Sequence, residues 1–390
     1  MKAFVLHGNW LPRPGYAPDE RERVTRKAAI ASQVWHAPRL IMEGHTDPSP
    51  KADEVIVRVK TCGVCGSDVH CVRPDSAGYV RFSGPARLPV ILGHEFSGEV
   101  VAKGDAVTTL NVGDAVVAEG MLWCGLCEPC RRGTPNQCVN LEMVGFSSPG
   151  AFAEFIPVRD RYCWSLEPLL ASGRVSREEA FALGALLEPA GCAYNGLFVG
   201  HQRFRPGVRV GVFGVGPIGL ATVALARAAG ASKVVAIDPV IERGALARRM
   251  GAHVSLSLDE LIRSGESPVE ALRDLSNGGF DIHVEAAGAA DETIALMERT
   301  LAPNGRIVYL GRTGATSALQ LDTLVSGASE LAGSRGHAGH GIYPNLIRMT
   351  AAGVIDLSVM VTQTFRFPEV EQALEAAGDR RQGKVMVTQP

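Results

Sequence analysis

Residues 209–220 read RVGVFGVGPIGL, and this stretch decides the fold of the second half of the chain. An apolar run rich in β-formers leads directly into a Gly-x-Gly-x-x-Gly loop, which opens a segment with helical spacing. In such a loop the first glycine permits a tight turn, the second lets the backbone approach a pyrophosphate, and the third allows the helix to pack closely on the strand. Phosphates would bind the unpaired N–H groups at the start of that helix. The predicted cofactor contacts in this loop are Gly214, Gly216, Pro217, Ile218 and Gly219.

Strand-like and helix-like segments alternate on the C-terminal side of this loop. Buried strands are predicted at residues 209–213, 233–238, 280–288 and 306–311. Helices are predicted between them at residues 218–230, 241–251 and 291–301. This alternation is typical of an α/β fold with a doubly wound parallel sheet.

An acidic residue ends the second of these strands. Asp238 lies 19 positions after Gly219, where its carboxylate can accept hydrogen bonds from both hydroxyls of an adenosine ribose. A 2′-phosphate would meet that negative charge, so NAD is favoured over NADP, although the nearby Arg243 weakens this preference. Two alternatives stay open: the glycines serve only a turn, or Asp238 is only the N-cap of the next helix.

The first half of the chain has a different pattern. Short β-rich runs broken by turns lie at residues 54–59, 99–104 and 114–120. They predict a small barrel-like β domain between about residues 28 and 158. Residues 1–26 combine a Pro-rich stretch with a charged run and are predicted to be a peripheral extension. A helix at 343–352 and a strand at 384–387 are expected to return to the first domain.

Composition limits the classes of protein to which the chain can belong. Its 390 residues exceed what one hydrophobic core usually organises, so two domains are expected. Lys and Arg number 39 against 41 Asp and Glu, which gives no electrostatic reason to expect nucleic acid or an anionic membrane as a partner. The N-terminus lacks a secretory signal pattern. Nine cysteines without such a signal indicate a reducing compartment, and a cytoplasmic location is expected.

Four cysteines lie within fifteen residues, with the spacing Cys124-x2-Cys127-x2-Cys130-x7-Cys138. Four thiolates on a short loop form a closed tetrahedral zinc site that leaves no position for a substrate. Free thiols are one alternative. A nucleic-acid-binding zinc ribbon is another, but the near-neutral charge and the dinucleotide loop argue against it. The spacing therefore predicts a structural zinc ion.

A second set of metal-ligating side chains is dispersed along the chain. It consists of Cys65 in CGVCGSDVH, His94 and Glu95 in LGHEF, and Glu188 in ALLEPAG. This mixture of sulfur, nitrogen and oxygen donors suits a catalytic zinc ion that keeps an exchangeable position. Spacing alone does not decide it, because an isolated histidine is usually structural and a Glu-Pro pair is usually a surface corner.

Taken together, CGSDVH, GHE, the four-cysteine lobe, GVGPIG and the Glu-Pro pair resemble the medium-chain zinc-dependent alcohol dehydrogenase superfamily. The most similar branch is that of the polyol dehydrogenases, which includes sorbitol, threonine and cyclitol dehydrogenases. The resemblance runs from about residue 28 to the C-terminus. It implies a GroES-like, β-rich catalytic domain of residues 1–191 and 335–390 and an inserted Rossmann domain of residues 192–334.

The resemblance also implies which residues bind the catalytic zinc. It assigns Cys65 rather than Cys62 as the cysteine ligand, because the family's ligand directly precedes Gly-Ser-Asp. His94 matches the histidine ligand, and Glu95 matches a carboxylate that either binds the metal or exchanges with water. Glu188 occupies the position where many alcohol dehydrogenases have a second cysteine and polyol dehydrogenases have glutamate.

Further roles follow from the same resemblance. If the match of Glu188 to the family's ligand position is wrong, Cys192 is the alternative ligand. Asp68 is expected to accept a hydrogen bond from the histidine ligand and fix its tautomer. Ser67 and His70 resemble a relay that carries the substrate's proton toward solvent. Gly311 resembles a backbone contact to the nicotinamide carboxamide.

The expected activity is hydride transfer between NAD(H) and a secondary alcohol or ketone of a polyol, sugar or cyclitol, aminocyclitols included, with two Zn²⁺ per chain. One alternative is a threonine-type amino-alcohol dehydrogenase. Another is a non-catalytic relative that binds zinc and a dinucleotide, which a zinc count would reveal. The expected partners are a small-molecule substrate and further copies of the chain in a homodimer or homotetramer. Residues 316–325 are the candidates for an exposed sheet edge in that assembly.

Overall fold

The computed structural model describes residues 1–200, 204–312 and 316–389. The strands are β1 (Lys2–Trp10), β2 (Trp35–Gly44), β3 (Glu54–Val64), β4 (Val90–Ile91), β5 (Glu95–Lys103), β6 (Ala115–Ala118), β7 (Met121–Leu122), β8 (Glu142–Met143), β9 (Phe155–Arg159), β10 (Cys163–Ser165), β11 (Arg209–Phe213), β12 (Lys233–Ile237), β13 (Val254–Leu256), β14 (Phe280–Glu285), β15 (Leu301–Tyr309), β16 (Glu330–Gly333), β17 (Val361–Arg366) and β18 (Lys384–Thr388). The helices are α1 (Glu20–Thr25), α2 (Gly66–Val72), α3 (Glu128–Arg131), α4 (Glu167–Ala171), α5 (Arg177–Tyr194), α6 (Pro217–Ala228), α7 (Ile241–Arg249), α8 (Leu258–Arg263), α9 (Pro268–Leu275), α10 (Ala290–Arg299), α11 (Leu321–Gly327), α12 (Ile342–Ala351) and α13 (Val370–Gly378). No helix in these described ranges combines the length and the apolar run that a bilayer crossing requires.

The second half of the chain forms a six-stranded parallel sheet in the order β13-β12-β11-β14-β15-β16. Successive residues of β12 face opposite sides, and both sides are buried: Val234 and Ala236 belong to one hydrophobic core, whereas Val235 and Ile237 belong to another. Helices therefore cover both faces of the sheet. This is the doubly wound Rossmann architecture, and the predicted α/β fold class is confirmed.

The other half is built around a mixed, mainly antiparallel sheet in the order β10-β6-β5-β3-β18-β17, with β9 also paired to β3. β18, near the C-terminus, pairs antiparallel with β3, so that Val385 lies opposite Val64. This pairing places the end of the chain beside the strand that leads to Cys65.

Residues 1–26 are not the peripheral extension that the sequence predicts. β1 pairs with β2 and β4, and Phe4 and Leu6 on it are only 3% and 1% exposed. The prediction was wrong because the proline and charged residues after Trp10 obscured the short apolar run at 3–6. That run supplies the side chains that the three-stranded sheet buries.

The edge strands of the parallel sheet are β13 and β16, and residues 316–325 do not form an edge. Part of the predicted edge segment instead begins α11, which places Leu321 and Val325 four positions apart on one helix face. Both side chains are largely exposed, at 69% and 77%. The apolar pattern thus marks a helix face next to the sheet edge.

Candidate active site

The four cysteines of the predicted structural zinc site converge on one lobe. Their sulfur atoms, from Cys124, Cys127, Cys130 and Cys138, lie within 4.8 Å of one another. The Sγ atom of Cys127 is 3.4 Å from that of Cys130 and 3.7 Å from that of Cys138, which fits tetrahedral Zn–S bonds of about 2.3 Å. The N–H groups of Leu126 and Cys127 donate to the Cys124 sulfur and lower its pKa to about 6. These donors stabilise thiolate, so the lobe fits one zinc ion.

Cys65, His94 and Glu95 form a second compact group, whose donor atoms also lie within 4.8 Å of one another. The sheet explains why they meet. β3 and β5 are antiparallel, with Gly63 opposite Glu95, so the end of β3 that leads to Cys65 lies beside the start of β5. Glycine at 63 leaves room for this carboxylate, because a Cβ there would lie 2.2 Å from Oε2 of Glu95 and displace it. The sulfur, nitrogen and oxygen donors of this group suit a catalytic zinc ion.

Asp68, on α2, contacts two members of this group. One oxygen of Asp68 lies 3.4 Å from Nδ1 of His94, and the other accepts a hydrogen bond of 2.9 Å from the N–H of Cys65. Asp68 is fully buried. A carboxylate that faces the far nitrogen of a histidine ligand orients the ring and makes it a better donor.

Glu188 lies beside this group but outside it. Among the described residues, the compact metal-ligating groups contain neither Glu188 nor its rival Cys192, whose Sγ is 4.0 Å from Oε1 of Glu188. The nearest partner of Glu188 is His337, whose Nε2 lies 3.0 Å from the same oxygen. Burial raises the pKa of Glu188, but the hydrogen bond from His337 and the charges of His94 and Lys384 outweigh it and lower the pKa to about 2. Glu188 is therefore an anionic neighbour of the metal-ligating group.

Sequence reasoning missed two residues of this centre, His337 and Lys384. Lys384 is fully buried on β18, forms an ion pair with Glu95 and donates a 2.9 Å hydrogen bond to the carbonyl of Val64. Burial alone lowers the pKa of Lys384, but the charges of Glu95 and Cys65 outweigh it and raise the pKa. Neither residue belongs to a spaced motif. The available sequence signal for Lys384 was a charge directly before the apolar run 385–387.

Ser67 and His70 both lie on α2, the helix that follows Cys65, and Ser67 is partly buried. Desolvation and the guanidinium groups of Arg81 and Arg380 lower the pKa of His70. The imidazole is therefore neutral at pH 7 and able to accept a proton. This state is the one that the predicted relay requires.

The glycine loop has the geometry of a phosphate site. Gly214 adopts a left-handed φ of 81°, and Gly216 is the N-cap of α6, which begins at Pro217. A Cβ at Gly219 would lie 2.0 Å from the carbonyl oxygen of Gly214, whereas a Cβ at Gly216 would meet only Nη1 of Arg243, at 3.8 Å. The short distance at Gly219 explains the close packing of strand and helix. The open space at Gly216 leaves room for a phosphate at the helix N-terminus.

Asp238 follows β12 beside this loop and links two backbone segments. It accepts hydrogen bonds from the N–H groups of Val215, at 2.8 Å, and Val240, at 2.9 Å. Because Val240 is itself the N-cap position of α7, the alternative that Asp238 caps this helix is wrong. Arg243 donates to the carbonyl of Gln382 at 2.9 Å and lies close enough to Asp238 for their charges to interact.

A cavity of about 1100 Å³ opens at the carboxyl ends of β15 and β16. Residues 309–312 and 333–336 line one side, and parts of segment 19–33 and of the four-cysteine lobe line the other. Gly311 lies in this wall, but its N–H already donates to the carbonyl of Glu285 at 2.9 Å. Ligands of open α/β sheets bind beyond the carboxyl ends of the strands, so this cavity is the expected place for the nicotinamide end of a dinucleotide.

A β-rich domain with a four-cysteine lobe and a compact Cys-His-Glu group, joined to a doubly wound nucleotide-binding sheet, defines a zinc-dependent dehydrogenase. Residues 51–168 match the family model of the alcohol dehydrogenase GroES-like domain, and residues 217–352 match that of the zinc-binding dehydrogenases. The chain belongs to this family of zinc-binding alcohol dehydrogenases and is an oxidoreductase of its medium-chain, polyol-type branch. Membership of this family supports the assignment of zinc and a nicotinamide cofactor to the chain.

Similar proteins are known from several bacteria. Scyllo-inosose 3-dehydrogenase of Thermotoga maritima is 37% identical over 388 residues, which is 96% of both chains. L-threonine 3-dehydrogenase of Saccharopolyspora erythraea is 33% identical, over 90% of this chain and 96% of that protein. A solved structure from Thermotoga maritima, described as an alcohol dehydrogenase, has a TM-score of 0.92 and 35% identity over the full length of both chains.

Proposed function

We propose that the chain transfers a hydride between NAD(H) and a secondary alcohol or ketone of a polyol, sugar or cyclitol, aminocyclitols included. The observation that carries this proposal is the compact group of Cys65, His94 and Glu95, with anionic Glu188 beside it. Glu188 contacts His337, and the preceding residue, Gly336, lines the 1100 Å³ cavity. The connection that carries His337 therefore reaches from the wall of this cavity to the neighbour of the metal-ligating group, which supports a nicotinamide position close to that group.

The residues of the metal-ligating group and of α2 have separate tasks in the proposed reaction. When bound, zinc supplies a Lewis acid that lowers the pKa of a hydroxyl, and the nicotinamide supplies the hydride acceptor or donor. Cys65, His94 and Glu95 would hold the metal. Ser67 accepts the proton of the substrate hydroxyl and passes it to neutral His70, which delivers it to solvent.

The relative from Thermotoga maritima supports a cyclitol as the substrate, and the relatives named L-threonine 3-dehydrogenase support an amino alcohol as the second candidate. A panel of cyclitols, linear polyols and L-threonine, assayed with NAD⁺ by the absorbance of the reduced nicotinamide, separates the two. We expect turnover with a cyclitol or polyol. Turnover with L-threonine alone would replace our first candidate by the second, and turnover with none of them would contradict both.

Replacing Ser67 with alanine is expected to lower kcat by roughly a hundredfold, because general acid–base steps contribute at least that much. The dissociation constant of NAD⁺, measured by fluorescence, should stay within about twofold, since Ser67 is assigned to the proton path and not to the nucleotide. Ser67→Thr, which keeps the hydroxyl, is the matched control. Equal losses in turnover and NAD⁺ affinity would remove Ser67 from the relay.

The preference for NAD is proposed to depend on the negative charge of Asp238. Replacing Asp238 with asparagine removes that charge but keeps an oxygen that can accept from the N–H of Val215 or Val240. We expect the ratio of kcat/KM for NADP⁺ to that for NAD⁺ to rise at least about tenfold, because repulsion of the 2′-phosphate disappears while Arg243 remains. An unchanged ratio, with a protein that still melts like the wild type, would contradict this assignment.

We also infer two zinc ions per chain and an assembly of two or four chains. The exposed side chains of Leu321 and Val325 and the 41% exposed Leu331 lie on or next to the sheet edge formed by β16, where a second copy would cover them. Light scattering after size exclusion should give a mass of two or four chains. Replacing Val325 with aspartate should lower that mass, and a monomeric wild type would contradict the inference.

A further inference from the structure

His337 is a buried histidine that no spaced motif of the sequence includes. It lies in the connection between β16 and α12, it is 0% exposed, and its Nε2 is 3.0 Å from Oε1 of Glu188. An ionised carboxylate only accepts hydrogen bonds, so Nε2 is the donor. This hydrogen bond joins residues 149 positions apart and links the connection to α5, the helix that carries Glu188.

Several contacts hold the connection against α5. Nδ2 of the buried Asn195 donates to Oγ of Ser334 at 3.1 Å and to the carbonyl of Gly336 at 2.9 Å. Gly191 on α5 makes room for the ring, because a Cβ there would lie 3.1 Å from Cβ of His337. The N–H of His337 also contacts Sδ of Met121 at 3.3 Å. The imidazole is therefore fixed in one place and can fix its partner.

The other ring nitrogen shows that this histidine is not there for packing alone. Nδ1 of His337 is buried and has no hydrogen-bond partner among the residues that the structure describes. An unsatisfied buried polar atom costs stability, and an apolar side chain of similar shape would avoid that cost. The value of the imidazole therefore lies in its contact with Glu188.

One carboxylate oxygen of Glu188 accepts the hydrogen bond from His337, and part of the side chain is accessible to solvent. Its side chain is 13% exposed, whereas that of His337 is completely enclosed. We propose that His337 is a positioning residue that fixes the Glu188 carboxylate as an acceptor for a second hydroxyl of the substrate, next to the carbon that is oxidised. This inference rests on the proposed function and narrows its substrate class to compounds that carry adjacent hydroxyl groups.

The test uses the zinc-loaded, full-length protein and the cyclitol or polyol that gives the highest turnover in the panel. His337→Leu removes the donor, His337→Gln keeps an N–H donor, and Glu188→Gln removes the carboxylate. His340→Asn is the matched control, because His340 is an exposed histidine of the same connection whose φ of 55° asparagine tolerates. Steady-state kinetics give KM and kcat, and calorimetry without nucleotide gives the dissociation constant of the polyol.

We expect His337→Leu to raise both KM and the dissociation constant at least about tenfold, as the loss of a hydrogen bond to a charged group implies, and to lower kcat much less. In a protein that already carries Glu188→Gln, His337→Leu should change KM and the dissociation constant by less than about twofold, because His337 acts through the carboxylate. His337→Gln should restore most of the affinity, and His340→Asn should behave like the wild type.

Two results would overturn this inference and leave the proposed function intact. One is an unchanged dissociation constant of the polyol in His337→Leu. The other is an equal loss of polyol affinity whether or not the Glu188 carboxylate is present. If His337→Leu does not fold, His337→Gln and His337→Asn carry the test, since only the longer amide reaches Glu188. Equal affinities in that pair would then overturn the inference. A wild-type protein that neither binds nor oxidises any polyol would instead overturn the proposed function.

Discussion

Replacing Cys65 with serine is expected to lower turnover of a polyol by about a thousandfold and to remove one of the two zinc ions that we propose. A Lewis acid at the reacting oxygen contributes several kcal/mol, and about 4 kcal/mol corresponds to roughly a thousandfold in rate. Cys65 offers the only sulfur of its compact group, and a serine hydroxyl is a much poorer zinc ligand than a thiolate. Steady-state kinetics and metal analysis of the purified variant measure both effects.

Cys62→Ser is the matched control for this experiment. Cys62 lies three residues earlier, on β3, is 1% exposed, and does not belong to the compact group around Cys65. Burial raises the pKa of its thiol, which disfavours the thiolate that zinc would need. This variant should keep both zinc ions and most of its activity. Comparable losses in Cys62→Ser and Cys65→Ser would show that the register of the metal-ligating motif is wrong.

Replacing Cys124 with serine is expected to destabilise the protein while leaving the chemistry of the surviving molecules largely intact. Structural zinc ions stabilise the folded state directly, and a loss of about 3 kcal/mol would lower Tm by roughly 6 °C. The lobe also holds the walls of the 1100 Å³ cavity, because Arg21 donates to the carbonyl of Val139 at 3.2 Å and Asn136 donates to that of Arg335 at 3.1 Å. Limited proteolysis should therefore cut the lobe faster than in the wild type.

Cys163→Ser separates the loss of zinc from the loss of a buried thiol. Cys163 is 9% exposed on β10 and belongs to neither compact metal-ligating group. It should keep two zinc ions per chain and lose much less stability than Cys124→Ser. An unchanged Tm and an unchanged zinc content in Cys124→Ser would contradict a structural zinc site in the lobe.

Local sequence patterns predicted most of the parallel sheet. The strand at 209–213 and the glycine loop after it were placed correctly because strand, turn and helix signals there are adjacent in sequence. The four-cysteine lobe was likewise visible, since its donors lie within fifteen residues. β1 was missed because its burial depends on pairing with β2 and β4, which its own composition does not reveal.

The missed residues of the candidate site share one property: their partners are distant in sequence. Lys384 contacts the carbonyl of Val64, 320 positions away, and His337 contacts Glu188, 149 positions away. Such contacts depend on the return of the C-terminal segment to the first sheet and on the packing of the connection after β16. A buried lysine or histidine looks in sequence like an ordinary surface residue, so only the folded chain identifies it.

We propose that Cys65, His94 and Glu95 hold a catalytic zinc ion. The sharpest test of this proposal is to measure the oxidation of a polyol by NAD⁺ before and after the more labile zinc ion is selectively removed. A chelator treatment that leaves one zinc per chain should abolish the rate while Tm changes little, and added zinc should restore the rate. A protein that keeps its full rate with only the four-cysteine lobe occupied would contradict a catalytic metal at this group.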